Sequence, residues 1–462
     1  MLALPAPAIT QQAHRLGAIW IAIVILWMSQ ALPLPVTGLL APTLAVMAGV
    51  APLREVFAAF GDPVLFLLVG SFFLARAFEV SGLGRRIALV LLTLPFVAGR
   101  PLRILPLYGL LCYAISMWTS NTATAALMFP IALSVLSMLG HGKAGAGRER
   151  YATGLLLLCT FGASIGGLAT PVGTPPNLIG LGLIERELGT RPSFLEWMTV
   201  FVPLSLALHL VMTAIFVVSA RRDPAAAPRP TPGLVAERDR LGPWTPRERA
   251  VAAIFGGTIV LWLLPGVWSL FAGAADPVAR RLSALLPETA AALLGAAFLF
   301  IVPAGGRPTM TWDEAKAIDW GTILLFGGGV CLGGLLLSTG LGEAIADALR
   351  RAAGLHDALG VTALGVVLAV FLSETSSNTA AATLIVPITI ALCRNVGADP
   401  LVPALAATAA SSLGFMLPVS TAPNAIVFGS GRVPLGVMMR YGIVLDFLGI
   451  ALLIGVAALF LR

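Results

Sequence analysis

Apolar residues run along this chain in long blocks, not in the short alternations of a half-buried strand. The blocks cover roughly 17–33, 36–51, 63–80, 87–138, 152–183, 198–220, 250–271, 288–302, 318–345, 358–393, 401–428 and 437–461. A helix rises about 1.5 Å per residue, so about twenty apolar residues cross about 30 Å of hydrocarbon. Most blocks reach that length. Blocks 36–51 and 288–302 must borrow flanking residues or thin the bilayer. Blocks 87–138 and 358–393 carry polar interruptions, and each reads as a broken stretch that turns back. The pattern predicts an all-α polytopic membrane protein.

Composition agrees. Hydrophobic residues make up 58% of the chain and charged residues 11%, too few to keep a soluble protein of 462 residues dispersed. Mean hydropathy is +0.94. Residues 1–12 lack a positive n-region, and the apolar run from Gly17 leads directly into a second one, so Gly17 is expected to open the first span. Cys112, Cys159, Cys331 and Cys393 sit in or beside apolar runs without metal-ligand spacing and read as small buried residues. His14, His141, His209 and His356 form no cluster with acids or cysteines, so neither a metal centre nor a histidine-based enzyme is expected. The net charge of +7 forms no basic stripe with interleaved aromatics, which argues against nucleic acid as a partner.

The two halves repeat each other. Asp62 recurs as Asp319, Gly82-Leu83-Gly84 as Gly340-Leu341-Gly342, and Ser120-Asn121-Thr122 as Ser377-Asn378-Thr379, at offsets of 257 or 258. The run from Pro171 to Asn177 recurs from Pro418 to Asn424, 247 positions on. Four landmarks in one order mark a duplicated unit. The expected organisation is a first repeat at 1–220 with a re-entrant hairpin at about 103–137. An exposed Pro-, Ala- and charge-rich connector follows at 221–249, then a second repeat at 250–462 with its hairpin at about 357–395. Each repeat holds five spans; five is odd, so the second is expected to be inverted. Arg85, Arg86, Arg100, Arg103, Lys143, Arg148, Arg150, Arg221 and Arg222 then share one side, which the positive-inside rule makes cytoplasmic. Both termini, including Arg462, with Arg54 and Arg186, fall outside; Arg280, Arg281, Arg350 and Arg351 weaken the bias.

The interruptions carry the candidate chemistry. Three consecutive short polar side chains inside an apolar run must find partners. If the chain reverses there, each triplet becomes a hairpin tip whose freed N–H groups and following helix end face an anion, while carbonyls and hydroxyls suit Na⁺. One such triplet alone reads equally as helix-packing glue. The second pair is Gly173–Asn177 and Ser420–Asn424, where prolines are expected to unwind a helix and asparagine to add an amide oxygen for a cation. No lysine or arginine lies in the four motifs. Glu374 is expected to pair with Thr124 or water, and Asp62, Arg76, Glu79, Asp319, Arg440 and Asp446 read as caps or snorkelling charges as much as functional ones.

Those motifs resemble the divalent-anion/sodium symporter family, the sodium-coupled dicarboxylate and sulfate carriers. The paired Ser-Asn-Thr triplets and the run from Ser411 to Val427 carry the resemblance, which extends from about Asp62 to the end. It implies two inverted repeats with opposed hairpins, a homodimer of scaffold and transport domains, and an elevator movement in a bacterial inner membrane, with periplasmic termini. It implies a dianion held by Ser120, Asn121, Thr122, Ser377, Asn378, Thr379, Thr421 and Pro423. One sodium site would use Ser116, Ser120, Asn121 and Gly173; the other would use Ser373, Ser377, Asn378 and Ser420. Ten spans are counted, with 16 residues before the first, so the extra leading helix of the family is expected to be missing. The lack of a large soluble insert tilts the expectation toward C4-dicarboxylates. The alternatives are a sulfate carrier, a proton-coupled or exchange carrier of the same build, an anion channel and a non-transporting scaffold.

Overall fold

The computed structural model describes residues 10–139, 150–228, 232–273 and 275–461. His141, Lys143, Arg148 and Arg462 lie outside the described residues, as do the first nine positions. Helices run α1 (Gln11–Ser29), α2 (Leu34–Met47), α3 (Leu53–Phe57), α4 (Pro63–Ser81), α5 (Leu83–Leu92), α6 (Pro101–Ser116), α7 (Asn121–Met138), α8 (Arg150–Gly167), α9 (Pro175–Leu188), α10 (Phe194–Ala220) and α11 (Pro232–Asp239). They continue as α12 (Pro246–Ala272), α13 (Pro277–Leu285), α14 (Glu288–Ile301), α15 (Trp312–Ala315), α16 (Trp320–Ser338), α17 (Leu341–Ala353), α18 (Ala358–Thr375), α19 (Asn378–Asn395), α20 (Leu401–Ala410), α21 (Ala422–Gly429) and α22 (Leu435–Phe460). Among the described residues the only β pairing is an isolated bridge between Pro303 and Pro308.

Eight helices among the described residues are long and apolar enough to span a membrane, nine if α13 and α14, bent by 52°, count as one. Two of those nine, α7 and α18, belong to the stretches expected to turn back, and three of the ten expected spans are not among them: block 36–51 forms only the 14-residue α2, and the other two are broken. Block 152–183 is divided between α8 and α9, and block 401–428 between α20 and α21, each with unwound backbone at the divide. Such backbone is tolerated at membrane depth only where protein or a cavity surrounds it.

The repeated landmarks have local causes. Gly82 and Gly340 adopt φ of 79° and 81°, left-handed values that glycine takes without a Cβ clash, and each joins a long helix to a shorter one. Asp62 and Asp319 cap α4 and α16, accepting from Val64 N at 2.8 Å and Thr322 N at 3.0 Å. Helices meet through small residues, as expected where lipid removes the hydrophobic drive between them. A Cβ on Gly328 of α16 would lie 2.8 Å from Cα of Gly38 in α2.

The connector is not the free strand that its composition suggests. It contains α11, whose Leu234 is fully buried. Arg86 of α5 donates from Nη1 to the Gly242 carbonyl at 2.9 Å and from Nη2 to those of Leu241 and Pro243 at 3.1 and 3.2 Å. Its Nε pairs with Glu248 at 2.7 Å. A guanidinium matched to three carbonyls and a carboxylate docks the connector against α5.

Candidate functional site

Both triplets sit at helix breaks. Helices α6 and α7 are divided at residues 117–120, and α18 and α19 at 376–377. Ser120 caps α7, its Oγ accepting from Ala123 N at 3.1 Å; Ser377 caps α19, accepting from Ala380 N at 3.2 Å. Across each break a hydroxyl one turn back orients the asparagine. Ser116 donates to Asn121 Oδ1 at 2.8 Å, and Ser373 to Asn378 Oδ1 at 2.7 Å. The two bends share the same hydrogen-bond plan.

The proline motifs work differently from the expectation. Pro175 and Pro176 do not unwind a helix interior; they occupy the first turn of α9, where a missing N–H costs nothing. Pro423 does the same in α21. The unwinding lies just upstream, at 168–174 and 411–421. There the asparagine amide nitrogen meets the freed carbonyls. Asn177 Nδ2 donates to Gly167 and Thr170 at 2.9 and 2.8 Å, and Asn424 Nδ2 to Gly414 and Leu417, both at 3.1 Å. Thr160 of α8 donates to Asn424 Oδ1, which ties the two halves together.

These four breaks open on one cavity of about 700 Å³. Ser120, Asn121, Thr122, Ser377, Asn378, Thr379, Ser420, Thr421 and Pro423 line it. Ser116, Ser373 and Gly173 do not; they are buried behind it. The starts of α7, α9, α19 and α21 all reach the cavity, because their cap residues Ser120, Thr174, Ser377 and Thr421 all line it. A helix start carries roughly half a positive charge, so four supply about two without a cationic side chain in the motifs.

Two oxygen-lined cradles flank the cavity. A Cβ at Gly173 would lie 2.6 Å from the Gly167 carbonyl oxygen and 3.0 Å from that of Met117. A Cβ at Gly414 would lie 2.8 Å from Ser373 Oγ and 3.4 Å from Asn378 Oδ1, and would overlap Ser420 Oγ. Neutral oxygens converging where only glycine fits suit a hard monovalent cation. Gly414 had no sequence signal of its own, because its crowding depends on where the fold brings Ser373, Asn378 and Ser420.

Other residues were missed or misjudged. Arg76 and Glu79, ion-paired at 2.8 Å, and Asp319 all line the cavity as well. Glu374 does not pair with Thr124, which bonds Thr119 at 2.9 Å. It accepts instead from Met416 N at 2.6 Å and Leu417 N at 2.9 Å, because the unwound backbone leaves those donors without helical partners.

Paired broken helices that meet at one cavity, in a polytopic helical chain matched along its length by a symporter profile, make this a multi-pass membrane transporter, not an enzyme. The chain belongs to the sodium:sulfate symporter family: the family's profile, described as the sodium:sulfate symporter transmembrane region, matches residues 1–462. It is 31% identical over 451 residues to a sodium-dependent dicarboxylate transporter, SdcS, of Staphylococcus saprophyticus, covering 94% of this chain and 83% of that one. A Haemophilus influenzae relative named only as an uncharacterized transporter is 33% identical over 427 residues, covering 92% and 87%. Among solved structures, the Alcanivorax borkumensis YdaH transporter shares the fold, with a TM-score of 0.58 at 16% identity over 88% of this chain and 86% of that one. Neisseria gonorrhoeae MtrF does so with 0.56 at 15% identity, over 88% and 82%. The resemblance carried by the triplets is thus the family found.

Proposed function

We propose that this protein couples inward movement of Na⁺ to uptake of a divalent anion, a C4-dicarboxylate such as succinate, malate or fumarate. The observation that carries the reading is the convergence of four helix starts on one cavity, with about two positive charges for a dianion. Asn121, Thr122, Asn378 and Thr379 hold the carboxylates from the two tips, with Ser120, Ser377, Thr421 and Pro423 completing the walls. Ser116, Ser120, Asn121 and Gly173 serve one sodium ion, and Ser373, Ser377, Asn378 and Ser420 the other. Asn121 and Asn378 each belong to both sets, which is the coupling: sodium orients the amide that the anion needs. The names of the staphylococcal relatives support a dicarboxylate over sulfate.

The wider reading follows. Repeats at 1–220 and 250–462 are inverted and carry opposed re-entrant hairpins. The hairpins and unwound segments move as one body in an elevator cycle, within a homodimer in a bacterial inner membrane, with the connector cytoplasmic and the termini periplasmic. The test is uptake into proteoliposomes of radiolabelled succinate and sulfate under Na⁺, Li⁺, K⁺ or proton gradients. Succinate uptake driven by Na⁺ is expected; uptake indifferent to Na⁺ sinks the coupling, and preference for sulfate sinks the substrate.

A further inference from the structure

The two unwound segments are built alike but are not held alike. Asn177 and Asn424 are both fully buried, and each turns its amide nitrogen onto two freed carbonyls. The Oδ1 of Asn424 receives the hydroxyl of Thr160, which comes from α8 in the other half of the chain. The Oδ1 of Asn177 receives no hydrogen bond among the described residues. The repeat itself accounts for the difference. Asn424 lies 247 positions after Asn177, and the residue 247 positions after Thr160 is Ala407, which has no hydroxyl to give. Helix α20, which carries Ala407, packs on α9 as α8 packs on α21.

The bond from Thr160 reaches the second cradle in two steps. Asn424 Nδ2 donates to the Gly414 carbonyl at 3.1 Å, and Ser420 Oγ donates to the same carbonyl at 3.1 Å. Ser420 Oγ is one of the three side-chain oxygens gathered around Gly414. Thr160 does not line the cavity, so it acts on the cradle through Asn424 alone. The helix that carries it is a firm support, because α8 packs on both arms of the first hairpin, α6 and α7. A buried amide oxygen stripped of its donor loses both that bond and the water it gave up on folding. Such an amide relaxes by shifting, and the Gly414 carbonyl and Ser420 move with it.

We propose that Thr160 is a positioning residue for the second cradle. From α8 its hydroxyl sets the Asn424 amide and, through the Gly414 carbonyl, the place of Ser420 Oγ. The first cradle lacks this brace, since Ala407 stands where the second threonine would be. The sodium readout below rests on the cation sites proposed above; the brace itself is read without sodium.

The test uses purified full-length protein with Thr160→Val, which removes the hydroxyl at nearly constant shape, and Thr160→Ser, which restores it. Amide hydrogen exchange of residues 411–421 is measured in choline. The sodium concentration that half-saturates the rise in melting temperature is measured alongside. Thr160→Val is expected to speed exchange at 411–421 and to raise the half-saturating sodium by about three- to tenfold, the worth of one hydrogen bond. Thr160→Ser is expected to return both to near wild type. A melting temperature lowered equally in sodium and choline, with the half-saturating sodium unmoved, would leave Thr160 a merely structural residue and overturn the proposal. So would unchanged exchange at 411–421. If the wild-type melt ignores sodium, the cation reading fails, and exchange at 411–421 in the two variants alone decides for or against the brace. If Thr160→Val does not fold, Ala407→Ser is read instead: slower exchange at 168–174 supports the brace, and unchanged exchange there sinks it.

Discussion

Ser373 donates its hydroxyl hydrogen to Oδ1 of Asn378 at 2.7 Å, across the bend between α18 and α19. The bond occupies the amide oxygen and leaves the N–H groups of Asn378 as the donors offered to the cavity. Asn378→Ala is therefore expected to lower dianion uptake by at least about tenfold, the worth of one hydrogen bond to a charged partner. Uptake into proteoliposomes measures it, with size-exclusion chromatography showing a normally assembled protein. Wild-type rates from N378A would remove the tip from the binding site.

Gly173→Ala places a methyl group 2.6 Å from the Gly167 carbonyl oxygen, inside the first cradle. The expected result is a weaker apparent affinity for Na⁺, with the dianion response restored only at high sodium. Titration of uptake against Na⁺ at fixed substrate reads this. An unchanged sodium curve would mean that the cradle holds no ion.

Arg76 lines the cavity and is partly neutralised by Glu79 at 2.8 Å. Both side chains are partly exposed, so solvent screens them and the effect is modest, on the order of 1 kcal/mol or less. Arg76→Gln should raise KM for the dianion by up to about fivefold. Glu79→Gln should lower it. Shifts of the same sign in the two variants would show that the ion pair only holds α4 in place.

Arg86 and Glu248 are both almost fully buried, with side-chain exposures of 7% and 5%. Arg86→Ala leaves the Glu248 carboxylate buried and three connector carbonyls unpaired, and is expected to cost about 3–5 kcal/mol. Thermal melts of the detergent-solubilised protein check it. Arg86→Lys keeps the charge but not the planar fork, and should recover only part of the loss.

The helix breaks were legible because short polar residues in an apolar run need partners, and their repetition in both halves told against mere helix-packing glue. Gly82 and Gly340 were legible as a repeat, and their left-handed backbone supplies the reason. The hold of the asparagine amide nitrogens on the freed carbonyls was not legible, since it depends on where those carbonyls point once the backbone unwinds. Arg76 looked like an ordinary boundary charge, because only packing between distant segments places it on the cavity. The docking of the connector was hidden for the same reason: nothing near residue 242 announces that Arg86 will bind its carbonyls.

The four helix starts also bear on how the membrane voltage acts. One elementary charge crossing the membrane field is worth about 2.3 kcal/mol per 100 mV. A lysine or arginine in the tips would be dragged by that field on every return of the empty carrier. Backbone dipoles carry no net charge, so emptied tips give the voltage nothing to hold. In the elevator cycle proposed above, the potential therefore works on the cargo while the tips are loaded and leaves the return of the empty tips nearly untaxed.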